Sequence, residues 1–574
     1  MKINDINFMI GGTAGEGVDL PGHLFAKLCM HAGLRLHGNG EFYSVIKGYN
    51  NIFQIRVSEN PVHCLLNKFD LVLALDEETT DRYLSDIVPG GGVIYDPEVA
   101  KLKKQNDIKL FPIPLREIAK EKVGLDLAKN VVGIGAVIGL LDYPIDILRD
   151  LLIKTFAKKG NEIVDKNIAA AQAGYDFARQ KFGRDFNYVL KSIADAPKTF
   201  MANGNQVISM GAIKAGCKFV SEYPMTPSSS ILHTMAKHAR DYNVSVNHVE
   251  DELSAINMAI GAGFAGARSM AATSGGGFAL MTEAVGLAGM VEVPVVIVEV
   301  QRPGPSTGLP TRSGQGDLRQ VMHASQGDFP KIVLSPGNHE EAFYMAFEAF
   351  NLAEIYQCPV ILLTEKYLGE GSVNLPFLDT SELKVNRGKL LPDNKIPKNF
   401  KRFADTASGI SPRTVPGQKR GAHTASSYEH REDGYFTEEI DDCNKIHERR
   451  MRKMETLEHV LPPVKLEGQK DADVTLVCWG ATYGPAYEAM SWLKRNGVSA
   501  NLLHVKYLLP LQPGIGEVLE KTKHPILVEG NISAQLGGLI AEKVGIEIQD
   551  KVLDYSGRPF TPDAIAEGVI KLIK

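Results

Sequence analysis

Short apolar runs closed by glycine, proline or a polar cluster alternate with longer stretches of helical periodicity over most of this chain. That alternation predicts strands feeding helices in α/β units. A strand at Ile6 to Ile10 leads into Gly11-Gly12-Thr13-Ala14-Gly15-Glu16-Gly17 and a helix over Leu20 to Ala32. Phe69 to Leu75, ending at Asp76, and Gly92 to Asp96 continue the same unit. A second unit opens near Gly204, and its last strand is Pro359 to Thr364. A third opens at Asp473 to Gly480 and runs on through Ala500 to Val505 and Pro525 to Val528. Between the second and third units the apolar periodicity fades and Lys, Pro, Asp, Arg and His become frequent. There, Arg413 to Gly434 reads as irregular surface structure and Glu438 to Leu461 as a charged helix, while Phe400, Phe403 and Tyr435 imply packing against something. The expected fold is α/β, with doubly wound domains at 1–190, 191–374 and 466–574 and a connector at 375–465.

Composition narrows the function classes. A chain of 574 residues exceeds a single core. A hydrophobic content of 44%, a charged content of 23% and a net charge of −5 are those of a globular protein without a basic patch for nucleic acid or a membrane surface. The longest apolar run, Val131 to Leu141, falls short of the roughly 20 residues that span a bilayer. Cysteines at 29, 64, 217, 358, 443 and 478 form no C-x-x-C pair. Neither a disulfide framework nor a metal or cluster site made by this chain alone is expected, and a cytoplasmic setting is.

Candidate chemistry concentrates between Glu222 and Asp317, where loop signatures fall at the carboxyl ends of predicted strands. That is where open α/β sheets bind ligands. In Tyr223-Pro224-Met225-Thr226-Pro227-Ser228, Thr226 suits a helix N-cap with Pro227 at the first helical position. Its hydroxyl could equally be aimed at a substrate. Glu252 begins a helix and is either an acid beside a helix dipole or a site carboxylate. Ala255, Ala259, Gly263 and Gly266 would give a small-residue face that a flat ring could approach. Ala272-Thr273-Ser274-Gly275-Gly276-Gly277 closes the next strand. Arg302 emerges from an apolar strand interrupted only by Glu299, suited to bidentate recognition of a carboxylate. The turn at 11–17 could cradle an anion, but it lacks the Walker lysine and the G-x-G-x-x-G spacing.

These segments together resemble the fused γ–α subunit of the 2-oxoacid:ferredoxin oxidoreductases, in particular the 2-oxoglutarate type. The resemblance rests on Tyr-Pro-Met-Thr-Pro-Ser, on Ala255 to Ala262, and on Gln301-Arg302 with Gly304 to Thr311 and Gln315-Gly316-Asp317. It covers nearly the whole chain and implies a γ-like domain, a thiamine-diphosphate pyrimidine-binding domain and a transketolase C-terminal-like domain. It further implies that Glu252 bonds N1′ of the aminopyrimidine and stabilises its imino tautomer, with Tyr223, Pro224, Thr273 and Ser274 around the cofactor. Thr226 and Arg302 would hold the 2-oxoacid, with Thr311 and Lys47 also reaching it; a cation at 47 suits a distal carboxylate. Magnesium, the diphosphate site and a [4Fe–4S] cluster would come from a β subunit, since this chain has neither Gly-Asp-Gly followed by Asn nor a cysteine set. Coenzyme A would be the co-substrate and ferredoxin the acceptor, in an αβ or (αβ)2 assembly. Two alternatives stand beside this: the same chemistry on pyruvate, branched-chain or aryl 2-oxoacids, and a non-catalytic nucleotide-binding module using the 11–17 loop.

Overall fold

The computed structural model describes residues 1–43, 49–103, 107–183 and 185–574. The chain packs as two compact units: Met1–Ala202 with Gly371–Leu378, and Asn203–Glu370 with Asp379–Lys574.

The first unit is built on an eight-stranded sheet in the order Lys109–Pro112, Ile87–Tyr95, Phe69–Ala74, Ile6–Thr13, Asn50–Ser58, Arg35–Glu41, Ser372–Pro376, Thr199–Asn203. The first four of these strands are parallel, and Ile6–Thr13, Asn50–Ser58, Arg35–Glu41 and Ser372–Pro376 pair antiparallel in succession. The sheet is therefore mixed, with a parallel, helix-covered half. The apolar run near 131–141 is the helix Lys129–Leu140, buried throughout. A helix that is apolar on every side belongs in a core. It crosses Asn161–Phe182 closely enough that a Cβ on Gly135 would overlap the Ala171 carbonyl, and one on Gly174 the Val132 carbonyl. Among the described residues no single helix is long and apolar enough to cross a membrane.

The Gly-rich turn is shorter than its sequence suggests. Gly11, Gly12 and Thr13 remain in the strand, paired with Ile52, Asn51 and Asn50, because the antiparallel neighbour extends that far. The remaining turn closes on the protein's own groups. Glu16 pairs with buried Lys129, and Asn130 Nδ2 donates to the carbonyls of Glu16 (2.5 Å) and Gly17 (3.1 Å).

The second unit holds a seven-stranded and a five-stranded sheet. The larger runs Ser245–His248, Phe219–Glu222, Ser269–Thr273, Val295–Gln301, Pro359–Glu365, Ile332–Leu334, Tyr507–Leu509, parallel except for the last strand. The smaller runs Leu466–Gly468, Ala500–Val505, Val474–Trp479, Pro525–Glu529, Asp550–Leu553, with only the first strand antiparallel. One hydrophobic core joins them, with Trp479, Leu503 and Leu527 in the same cluster as Ala255, Phe278 and Ile297.

Residues 379–465 pack onto this unit through buried charge. The helix Ile440–Glu458 carries Arg449 and Lys453, both fully buried, to Glu292. Arg413 and Arg387 meet Glu354 at 2.9 and 2.5 Å. Burial raises the Glu292 carboxyl, but Lys453, Arg449 and Arg402 overcome it and hold the group well below the carboxylate range. The weak apolar pattern of this segment reflects ion pairing in place of an apolar stripe.

Candidate active site

Four neighbouring parallel strands of the larger sheet deliver their carboxyl ends to one edge. Ser245–His248 leads to Glu252, and Phe219–Glu222 leads to the turn at Tyr223 to Ser228. Ser269–Thr273 leads to Ser274, and Val295–Gln301 leads to Arg302 and Thr311.

The fold separates the three consecutive acids. Glu250 is exposed, and Asp251 is the N-cap whose side chain accepts from Ser254 N–H at 2.7 Å. Glu252, the first helical residue of Glu252–Phe264, is only 3% exposed, and its Oε1 has no hydrogen-bond partner. Buried polar atoms are rarely left so. Close to it is fully buried Thr273, and the following Ser274 is fully buried with its hydroxyl unpartnered as well. Gly277, in the first turn of Gly275–Met290, completes the cluster. A Cβ there would lie 2.6 Å from Glu252 Oε1 and closer still to Thr273 Oγ1. The glycine triplet is the sequence signal for this approach.

Two expectations are corrected here. Thr226 does not cap the following helix, which spans Ser229–Tyr242 with Ser228 at the N-cap. The Ser228 hydroxyl turns inward to Met225 O (2.8 Å) and Glu222 Oε1 (3.3 Å), leaving Thr226 exposed in the turn. Nor do Ala255, Ala259 and Gly263 present a free face. They pack inward, and a Cβ on Gly263 would overlap the Pro294 carbonyl. Gly266 lies beyond the helix at φ +95°, and the outward side carries Leu253, Asn257 and Met258.

Arg302 and the Tyr-Pro-Met-Thr-Pro turn are brought together, since half-buried Arg302 donates from Nη1 to Thr226 O at 2.8 Å. Beneath it lie two acids. Burial, then the charge of Asp317, raises Glu299 well above the carboxylate range. Asp317 is pushed up to about 6 by burial, against Glu299 and Arg302. Asp317 supplies the negative charge that faces the guanidinium. Glu222 is likewise raised by burial, opposed by Ser228, and braces the turn from below. Tyr223 is exposed with its ring 6.5 Å from that of His248, and Pro224 is half-buried. Thr311 stands half-buried in the arch after Arg302. Lys47 lies outside the described residues.

Sequence reasoning did not single out Gly277 or Glu365 for the site, and it used Gln315 and Asp317 only as parts of a motif. Gln315, Glu365 and Glu529 become a cluster only where the two sheets meet. Gln315 Nε2 donates to Glu365 Oε1 at 3.1 Å, and Trp479 Nε1 donates to Glu529 Oε1 at 2.9 Å. Burial pushes these two carboxyls up to about 8 and about 7.

A helix-start carboxylate with an orphaned oxygen and an arginine over an acid pair thus stand together on strand-end loops at one edge of the larger sheet. Residues 210–452 match the family described as "Pyruvate flavodoxin/ferredoxin oxidoreductase, thiamine diP-bdg", and residues 7–177 match "Pyruvate ferredoxin/flavodoxin oxidoreductase". The alpha subunit of 2-oxoacid:ferredoxin oxidoreductase 2 of Aeropyrum pernix is 33% identical, covering 99% of this chain and 98% of its own length. The 2-oxoglutarate oxidoreductase subunit KorA of Mycobacterium tuberculosis is 26% identical over 98% of this chain and 91% of its own. The fold superposes, with a TM-score of 0.93 and 31% identity over all of both chains, on the 2-oxoglutarate:ferredoxin oxidoreductase of Magnetococcus marinus, solved with 2-oxoglutarate, coenzyme A and succinyl-CoA bound. The chain belongs to the 2-oxoacid:ferredoxin oxidoreductases, as the alpha subunit of a multi-subunit enzyme.

Proposed function

We propose that this chain holds the aminopyrimidine of thiamine diphosphate with Glu252 and the 2-oxoacid with Arg302 and Thr226. The observation that carries this reading is the buried Glu252 oxygen with no partner, at the start of a helix and against Thr273 and Gly277. A ring nitrogen is the kind of group that would satisfy it. When bound, the cofactor supplies the carbanion chemistry that decarboxylation of a 2-oxoacid requires. Glu252 holds a proton at N1′. Thr273 and Ser274 wall the ring, Tyr223 and Pro224 flank it, Arg302 pairs with the substrate carboxylate, and Thr226 meets its carbonyl. Thr311 reaches further along the substrate.

The reaction takes a 2-oxoacid, coenzyme A and two oxidised ferredoxins to the acyl-CoA, carbon dioxide, a proton and two singly reduced ferredoxins, or runs in reverse. The substrate is 2-oxoglutarate and the product succinyl-CoA, a choice supported by the names of the mycobacterial relative and of the Magnetococcus enzyme. A β subunit provides Mg2+, the diphosphate site and the [4Fe–4S] cluster, in an αβ or (αβ)2 assembly. Six cysteines outside any disulfide, five of them buried, support a reducing, cytoplasmic setting.

The test is made on the assembled enzyme. Glu252→Gln abolishes hydrogen–deuterium exchange at C2 of the cofactor; retained exchange removes Glu252 from the role. Arg302→Ala removes a charge-assisted bond worth about 1.5–3 kcal/mol, a roughly 10- to 100-fold rise in KM for the 2-oxoacid. A panel of 2-oxoacids with a viologen acceptor decides between 2-oxoglutarate and pyruvate, branched-chain or aryl substrates.

A further inference from the structure

We infer that Gln315 is a positioning residue for the 2-oxoacid site, through which the C-terminal sheet sets where Arg302 stands. The inference rests on the proposed role of Arg302 and extends it to a domain that carries none of the residues assigned above.

The loop between Arg302 and Gln315 is an arch with two feet. Its crown, Gly304 to Leu309, is exposed. The first foot is Gln301, fully buried, whose Nε2 donates to Thr364 O at 3.2 Å. The second is Gln315, 2% exposed, and nearly all of its bonds reach the smaller sheet and its loops. Its Nε2 donates to Trp479 O (2.9 Å) and to Glu365 Oε1 (3.1 Å). Its Oε1 accepts from Thr482 Oγ1 and from Gly530 N, both at 2.8 Å. Its own N–H donates to Gly530 O at 2.9 Å, and its carbonyl accepts from Asn531 Nδ2 at 2.8 Å. One amide side chain thus uses both ends on groups from three strands or their loops, Trp479, Glu365 and Thr482 among them buried. Such a residue has one place to sit.

The two feet are tied to each other. Asp317 N–H, two residues past Gln315, donates to Gln301 Oε1 at 3.0 Å. Gln301 is the neighbour of Arg302, and the Asp317 carboxylate is the charge facing the guanidinium. A shift of Gln315 therefore moves both the backbone that carries Arg302 and its counter-charge. Glu252, Thr273 and Gly277 make none of the bonds that hold Gln301, Gln315 and Asp317, and the nearest approach to them is Gly275, where an added Cβ would overlap Asp317 Oδ2. Gln315 therefore acts chiefly on substrate placement, through Arg302 and Asp317, and not on proton transfer at the cofactor.

The experiment uses the assembled enzyme with its second subunit, thiamine diphosphate and 2-oxoglutarate. Gln315→Leu cannot donate or accept, and is expected to raise KM for the 2-oxoacid about tenfold while kcat changes less than about threefold. Exchange at C2 of the cofactor is expected to be unchanged. Thr482→Val removes one bond to the same Oε1, folds more safely, and raises KM in the same direction by less. Gln315→Glu keeps the acceptor for Thr482 and Gly530 and falls between wild type and Gln315→Leu. Arg302→Ala, run in parallel, separates the two layers. If it leaves KM unchanged, the role of Arg302 fails. If it raises KM while Thr482→Val and Gln315→Leu leave KM unmoved, or lower kcat and C2 exchange together, the positioning role of Gln315 fails and that of Arg302 stands.

Discussion

Gly277→Ala perturbs the Glu252 site by a single methyl group. The new Cβ would stand 2.6 Å from Glu252 Oε1, where ordinary van der Waals contact begins at 3.4 Å. The carboxylate must therefore retreat by roughly 0.8 Å, and Thr273 Oγ1 by more, against a fully buried strand end that cannot give freely. Two effects on stability compete. Alanine in a helix gains about 0.5–1 kcal/mol over glycine. Overpacking a closed site costs about 1–3 kcal/mol. Overpacking wins, and the isolated chain loses on the order of 1 kcal/mol in urea unfolding. For catalysis the geometric term is larger, since a displacement near 1 Å costs on the order of a hundredfold. The assay is C2 hydrogen–deuterium exchange in the assembled enzyme, followed by NMR, together with kcat and KM for the 2-oxoacid. Exchange and kcat fall together by roughly two orders of magnitude, with KM little changed. Gly276→Ala, at a position with nothing within 4 Å of the added methyl, is the control, and stabilises the isolated chain by about 0.4–1 kcal/mol. Full exchange in Gly277→Ala would falsify the placement of Glu252 against this glycine.

Two further outcomes concern buried charge. Glu292→Ala leaves Arg449 and Lys453 buried without their shared counter-ion, and costs about 3–5 kcal/mol in denaturant unfolding. Because the Glu292 pKa is depressed, its stabilisation is present above the unfolded carboxylate value and is lost as pH falls through the folded one. Wild type therefore loses stability below about pH 4.5 more steeply than the variant; parallel acid limbs would refute the pairing. Glu365 has the opposite sign. Its pKa is raised to about 8 by burial, against bonds from Ala481 and Gln315, so the folded state binds the extra proton. Stability falls as pH rises from the unfolded carboxylate value through about 8, by on the order of a few kcal/mol in total. Glu365→Gln flattens that slope and is the more stable protein at pH 9. Urea titrations at pH 6 and 9 read this directly, and an unchanged slope would show that Glu365 is ionised at neutrality.

The sequence by itself determined the α/β alternation, because short apolar runs buried on both faces can be little else. It also determined the strand-end loops that carry Tyr223 to Thr226, Glu252, Thr273 and Arg302. Some strand ends were legible to within a residue, as at Phe69–Ala74, Ala500–Val505 and Pro359–Glu365, whereas Ile6–Thr13 runs three residues past the expected Ile10 and Ile87–Tyr95 starts five before the expected Gly92. What it could not determine depends on which surfaces meet. Glu250, Asp251 and Glu252 are equivalent acids on paper, and only helix geometry makes one exposed, one a cap and one a buried carboxylate with a free oxygen. In sequence Thr226 suits a cap as well as a substrate contact, and only the fold puts Ser228 at the N-cap with its hydroxyl turned inward. The small-residue face of Glu252–Phe264 read as open, because residue size alone does not say whether the space it leaves is filled by a ligand or by the Pro294 carbonyl. Segment 379–465 showed no apolar stripe, since its anchors, Arg449, Lys453 and Arg413, become core residues only when Glu292 and Glu354 arrive from elsewhere in the chain. Local periodicity records which side of an element is buried. Pairing between residues 50 or 164 positions apart is a property of the folded chain, and there Gln315, Glu365 and Trp479 acquire their meaning.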